Sequence, residues 1–139
     1  MKSILIIDDS DDFRETVMTV LDDAGYDVCE ASCPKEALRI LEQEDFDLIL
    51  CDLHMPFSDG PDAAEYITSS EVGLRTIQEL AAVFPETPIV AISSTPKQYL
   101  RRLAKYLDPV PTFPKPIHSQ DVLTLVSSLA EIEHSQEIQ

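Results

Sequence analysis

The sequence predicts an α/β protein built on a doubly wound parallel sheet of five strands. Three observations carry this. Short, nearly continuous apolar runs (Ile4 to Ile7, Phe46 to Cys51, Pro88 to Ile92) have the pattern of strands buried on both faces. Between them, apolar residues recur at helical spacing. Strand and helix patterns also alternate along the chain, as parallel strands joined by crossover helices require.

The elements follow in order. Ile4 to Ile7 is the first strand. Ser10-Asp11-Asp12 supplies helix-start residues, Phe13, Val17, Val20 and Leu21 share one helical face, and Gly25 is the stop. Val28 to Ala31 reads as a second strand, and Pro34 opens a second helix with Ala37, Leu38 and Leu41 inward. Phe46 to Cys51 is the third strand. Leu74, Ile77, Leu80, Ala81 and Phe84 form the inward face of a third helix. Pro88 to Ile92 is the fourth strand, and Pro96 opens a helix with Tyr99, Leu103 and Leu107 at i, i+4, i+8. A short strand from Val110 to Phe113 is weakened by its prolines. The last helix carries Val122, Leu125, Val126 and Leu129. The expected strand order is 2-1-3-4-5, the flavodoxin-like arrangement. One domain over 1–130 and a polar tail over 131–139 are expected.

Asp59-Gly60-Pro61 marks a turn well before the third helix. The intervening Asp62 to Val72 reads equally well as an extra helical turn or a long loop.

Composition narrows the function classes. With 139 residues and 44% hydrophobic content, the chain has enough apolar material for a proper core. Its net charge of −16 disfavours direct binding to nucleic acid or an anionic membrane, because phosphates are repelled. Cys29, Cys33 and Cys51 are odd in number and form no CxxC, which supports neither a disulfide framework nor a zinc site. The N-terminal apolar run is too short for a signal peptide or membrane span, so a cytoplasmic location is expected.

Three carboxylates stand out. Asp8 and Asp9 end the first apolar run and Asp52 ends the third. Strand ends on one edge of a parallel sheet share a crevice, where open α/β sheets bind ligands. Clustered carboxylates repel one another unless a cation neutralises them, and a hard ion such as Mg²⁺ suits oxygen donors. Ser93 follows the fourth strand and Lys115, between Pro114 and Pro116, follows the fifth. Carboxylates, a hydroxyl and an ammonium together suit metal-assisted phosphoryl transfer, with one carboxylate as nucleophile. Each has a plainer reading: turn or cap acids for Asp8, Asp9 and Asp52, a helix cap for Ser93, a surface charge for Lys115.

The segments Ile7-Asp8-Asp9-Ser10, Leu50-Cys51-Asp52-Leu53-His54-Met55-Pro56, Pro88 to Ser93 and Pro114-Lys115-Pro116, in this order, resemble the response-regulator receiver family of two-component signalling. The resemblance spans about Lys2 to Ala130. It implies that Asp52 is the phosphoacceptor, that Asp9 binds Mg²⁺ directly with Asp8 acting mainly through water, and that the His54 backbone carbonyl completes the metal site. It further implies that Ser93 is the switch hydroxyl and that Lys115 pairs with a phosphoryl oxygen. The implied partners are a histidine kinase or histidine phosphotransfer protein and a separate output protein. A homodimer through the face of the fourth and fifth helices is a further expectation, by analogy. The chain would catalyse its own phosphorylation and dephosphorylation without turning over a free substrate.

Three departures from the family pattern matter, one of them the Ser94 and Thr95 that follow Ser93, where a small residue leaves space for a phosphodonor and for water. Thr112 stands where the family places an aromatic switch residue, with Phe113 beside it, which predicts an altered or weaker switch. Gly60 fits the family's glycine after Met-Pro, yet Gly73-Leu74 also looks like the usual start of the third helix, which predicts an insertion of about a dozen residues, longer than the usual βα connection. Two other function classes compete: an interaction module on the same fold that is not phosphorylated, and an aspartate-nucleophile phosphatase suggested by Asp9-Ser10-Asp11. The phosphatase leaves Asp52 unused.

Overall fold

The computed structural model describes residues 2–53, 70–93, 97–108, 110–114 and 120–128. Five strands, β1 (Ser3–Ile7), β2 (Asp27–Ala31), β3 (Leu48–Asp52), β4 (Ile89–Ser93) and β5 (Thr112–Pro114), form one parallel sheet in the order β2-β1-β3-β4-β5. This is the predicted fold and strand order. Four helices alternate with the strands: α1 (Asp11–Asp23), α2 (Pro34–Leu41), α3 (Ser70–Val83) and α4 (Lys97–Leu107). A fifth, α5, spans 120–128.

Strand alternation splits the core in two. Leu5, Ile7, Ile49, Cys51 and Ala91 face a cluster closed by Ala37 and Leu41 of α2, Ile77 and Leu80 of α3, and Leu107 of α4. Ile4, Ile6, Leu48, Leu50, Val90 and Ile92 face the other, closed by Val17 and Leu21 of α1 and Val122 and Val126 of α5. With helices on both faces, β1, β3 and β4 bury both sets of side chains, hence their unbroken apolar runs. The edge strands differ. β2 carries Asp27 and Glu30, and β5 is three residues long and ends in Pro114. Charge and proline suit strands whose outer backbone groups have no neighbour.

Local chemistry sets the helix ends. Ser10 caps α1, its Oγ accepting the Phe13 N–H at 3.2 Å. At the other end Gly25, at φ +97°, lets its own N–H reach Asp22 O and that of Tyr26 reach Leu21 O, a Schellman closure. Pro34 occupies the first turn of α2. Every strand has a limit one or two residues from expectation: β1 and β2 start one residue earlier, β3 and β5 start two later, β4 starts one later, and β3, β4 and β5 each end one later. Asp52 and Ser93 are the last residues of β3 and β4 rather than the first beyond them, because Asp52 pairs with Ile92 and Ser93 with Pro114 in the ladder.

β3 ends at Asp52 and α3 begins at Ser70. Residues 70–72 of the expected Asp62–Val72 insertion are therefore helical and extend α3 ahead of Gly73. Residues 62–69, Leu129 and the 131–139 tail lie outside the described residues. All three cysteines are free.

Candidate functional site: an acidic pocket at the carboxyl edge of the sheet

The carboxyl ends of β1 and β3 bring Asp8, Asp9 and Asp52 together. One carboxylate oxygen from each lies within 4.8 Å of the others. β1 and β3 are neighbours with Ile7 paired to Cys51, so the residues that follow emerge side by side. Asp8 and Asp52 are buried, 1% and 3% exposed, and Asp9 is exposed. Two of the acids are thus shielded from solvent and the third is open to it. Ser93, fully buried, ends the adjacent strand β4.

Hydrogen bonds at Asp8 help hold the β1–α1 turn. The Asp8 N–H continues the β1–β2 ladder onto Ala31 O at 3.1 Å. The Asp8 carboxylate accepts the Ser10 N–H at 2.8 Å. The Asp8 carbonyl accepts from Arg14 Nη1 at 2.6 Å. Arg14 went unnoticed in the sequence. The signal was present, since Arg14, Val17 and Leu21 fall at i, i+3, i+7, which places a cation on the buried stripe of α1. Beyond Asp52, Leu53 is fully buried and donates its N–H to Ile92 O at 2.9 Å, so the acid sits on a fixed backbone.

Oxygen-only donors of this number fit a hard divalent cation better than zinc or copper, which favour nitrogen and sulfur. Cys51, inside β3, is no competing ligand. Burial, then the charges of Asp52 and Asp8, push its thiol far above the usual range, so it stays protonated.

Thr112 lies in β5 opposite Ala91, on the α2–α3–α4 side of the sheet, and its Oγ1 is buried without a hydrogen-bond partner among the described residues. His54 and Lys115 lie outside the described residues, as does the bond before Pro116.

Fold and site together define a doubly wound α/β protein with a cluster of three carboxylates at the carboxyl edge of its sheet. The profile of the response regulator receiver domain matches residues 4–127, and the chain belongs to that family. It is 29% identical over 129 residues to the response regulator receiver protein CpdR of Brucella abortus, covering 93% of this chain and 97% of that one. It is also 34% identical over 76 residues to the CAI-1 autoinducer sensor kinase/phosphatase CqsS of Vibrio cholerae, covering 55% of this chain but only 11% of that protein. Among solved structures, the chemotaxis response regulator CheY4 of Vibrio cholerae shares the fold with a TM-score of 0.73 at 24% identity, covering 93% of this chain and 98% of that one. Response regulator TrrA of Thermotoga maritima, solved with Mg²⁺ and BeF, shares it with a TM-score of 0.71 at 23% identity, covering 93% and 99%. Among the described residues no helix is long and apolar enough to cross a membrane.

Proposed function

We propose that this chain is a phosphoacceptor receiver. It takes a phosphoryl group from a histidine kinase or histidine phosphotransfer protein onto Asp52 and thereby alters a surface read by a separate output protein. The observation that carries this reading is the convergence of Asp8, Asp9 and Asp52 within 4.8 Å on the carboxyl edge. In the transfer, an Asp52 carboxylate oxygen forms the new O–P bond as the P–N bond of the donor phosphohistidine breaks. The electron pair of that bond stays on the imidazole.

Asp8, Asp9 and Asp52, with the His54 carbonyl, would hold Mg²⁺, which when bound neutralises charge on the phosphoryl oxygens. Ser93 and Lys115 take up the remaining oxygens and convert the new charge into a shift between two surface states. The chain catalyses its own phosphorylation and dephosphorylation, and its natural donor is a protein. A cytoplasmic setting, where such kinases present their phosphohistidine, follows from this role.

Intact mass after incubation with acetyl phosphate and Mg²⁺ tests the reading. Wild type should gain one phosphoryl group, and neither Asp52→Asn nor wild type without Mg²⁺ should gain any. No gain by wild type, with Mg²⁺ binding intact, would favour the unphosphorylated interaction module.

A further inference from the structure

Arg14 is the buried charge that the proposed chemistry does not use. Its side chain is 9% exposed, yet its partners are poor recompense for burying a guanidinium. Nη1 donates to a neutral backbone carbonyl, that of Asp8. Nη2 pairs with Asp11, whose side chain is 89% exposed. Nε has no hydrogen-bond partner and lies 3.9 Å from Glu30 Oε1, beyond hydrogen-bond reach. Replacing such an arrangement by a well-packed apolar side chain is often neutral or favourable for stability. Its geometric consequence is specific, however. The Asp8 carbonyl is one half of the planar Asp8–Asp9 peptide, so fixing its direction fixes where the Asp9 Cα begins. Further ties on this turn hold the Asp8 N–H and the Asp8 carboxylate. Arg14 restrains the carbonyl side of this turn, at the peptide that leads into Asp9.

Resting on the phosphoacceptor reading above, we propose that Arg14 is a positioning residue of the cation site. Through the Asp8 carbonyl it sets the orientation of Asp9 toward Asp8 and Asp52. Its planar fork reaches Asp8 and Asp11 from two nitrogens in a fixed plane, an orientation that a flexible ammonium does not impose.

Charge and positioning predict opposite signs. Arg14→Met removes a cation near three carboxylates, so charge alone predicts tighter Mg²⁺ binding. Positioning predicts weaker binding, by roughly tenfold, the lower end of what outer-shell partners of metal ligands contribute. Arg14→Lys keeps the charge and loses the fork; charge alone predicts no change, and positioning predicts an intermediate loss. The experiment is calorimetric titration of Mg²⁺ into the full chain, wild type and both variants, with thermal unfolding in EDTA to report on the fold. The Mg²⁺ dependence of acetyl phosphate labelling is followed in parallel. We expect the Mg²⁺ midpoint to rise in both variants while labelling at saturating Mg²⁺ returns to the wild-type rate. A midpoint equal to or below wild type in Arg14→Met would overturn the proposal. If Arg14→Met does not fold, an unchanged midpoint in Arg14→Lys would do the same. Wild type that binds Mg²⁺ but takes no phosphoryl group would sink the phosphoacceptor reading alone, whereas wild type that binds no Mg²⁺ would end both.

Discussion

Gly73→Ala sets two physical effects against each other. Gly73 lies in the first turns of α3, where glycine costs about 1 kcal/mol relative to alanine, so propensity alone predicts a more stable variant. The packing predicts the reverse. A Cβ on Gly73 would fall on the Leu53 carbonyl oxygen and within 2.6 Å of the Leu53 carbonyl carbon and Cα. These are backbone atoms and cannot swing aside. Leu53 cannot yield easily either, being fully buried and bonded through its N–H to Ile92 O at 2.9 Å. Helix α3 would have to back away, loosening Ile77 and Leu80, each 1% exposed. Overpacking costs about 1–3 kcal/mol, and a clash with fixed backbone belongs at the upper end. After subtracting the propensity gain, the net loss is about 2 kcal/mol. At the usual unfolding entropy per residue this lowers Tm by about 7 °C for a chain of this length. Urea and thermal unfolding followed by far-UV circular dichroism measure it. Because Leu53 directly follows Asp52, the Mg²⁺ midpoint should rise as well. A Gly73→Ala protein as stable as wild type, or more so, would refute the close approach of α3 to the β3 terminus.

Further outcomes are expected. Thr112→Val removes a buried hydroxyl that lacks a partner among the described residues and should stabilise by about 1 kcal/mol; a loss of that size in urea unfolding would mean the hydroxyl is satisfied. Burial and the neighbouring acids raise the Cys51 thiol above its ordinary value of 9.0. The folded state therefore keeps a proton that the unfolded chain releases above that pH. This contribution is intact below pH 9 and is lost as pH rises, by about 1.4 kcal/mol per pH unit. Cys51→Ala should flatten the alkaline limb of stability against pH by that slope, and an unchanged limb would count against a protonated, buried thiol. Mg²⁺ at ten times its Kd should stabilise wild type by about 1.4 kcal/mol in thermal unfolding, and Asp9→Asn should abolish the gain; an equal gain in the variant would remove Asp9 from the cation site.

What could be read from the sequence was whatever depends on one segment at a time. β1, β3 and β4 announce themselves because a strand covered on both faces needs apolar side chains at every position. Asp8, Asp9 and Asp52 announce themselves because an acid at the end of such a strand has no packing purpose. Arg14 and Gly73 stayed hidden because their roles depend on distances between segments. Arg14 is legible as inward-facing from its spacing to Val17 and Leu21, but its bond to the Asp8 carbonyl follows from the path of the β1–α1 turn. Gly73 looks like an ordinary helix-start glycine until α3 is placed against the Leu53 backbone. The limits of β3 and β4 slipped because ladder pairing carries both strands into the polar residues Asp52 and Ser93.

Thr112 and Phe113 show how strictly that ladder constrains any switch. Neighbouring strand residues point to opposite faces, and the β4–β5 register pairs Ala91 with Thr112 and Ile92 with Phe113. Ala91 belongs to the core under α2, α3 and α4, and Ile92 to the core under α1 and α5. Phe113 packs with the latter. Bringing its ring to the α4 side requires a one-residue slip of β5, which would turn every β5 side chain over and break the Ala91 N–H to Pro111 O bond of 2.9 Å. An aromatic one position from the family's place is thus no substitute for one in it. On the α4 side, β5 offers next to Ala91 only the small side chain of Thr112. Any coupling from Ser93 toward α4 through this position has to be carried by a hydroxyl and a methyl, with no ring to bury.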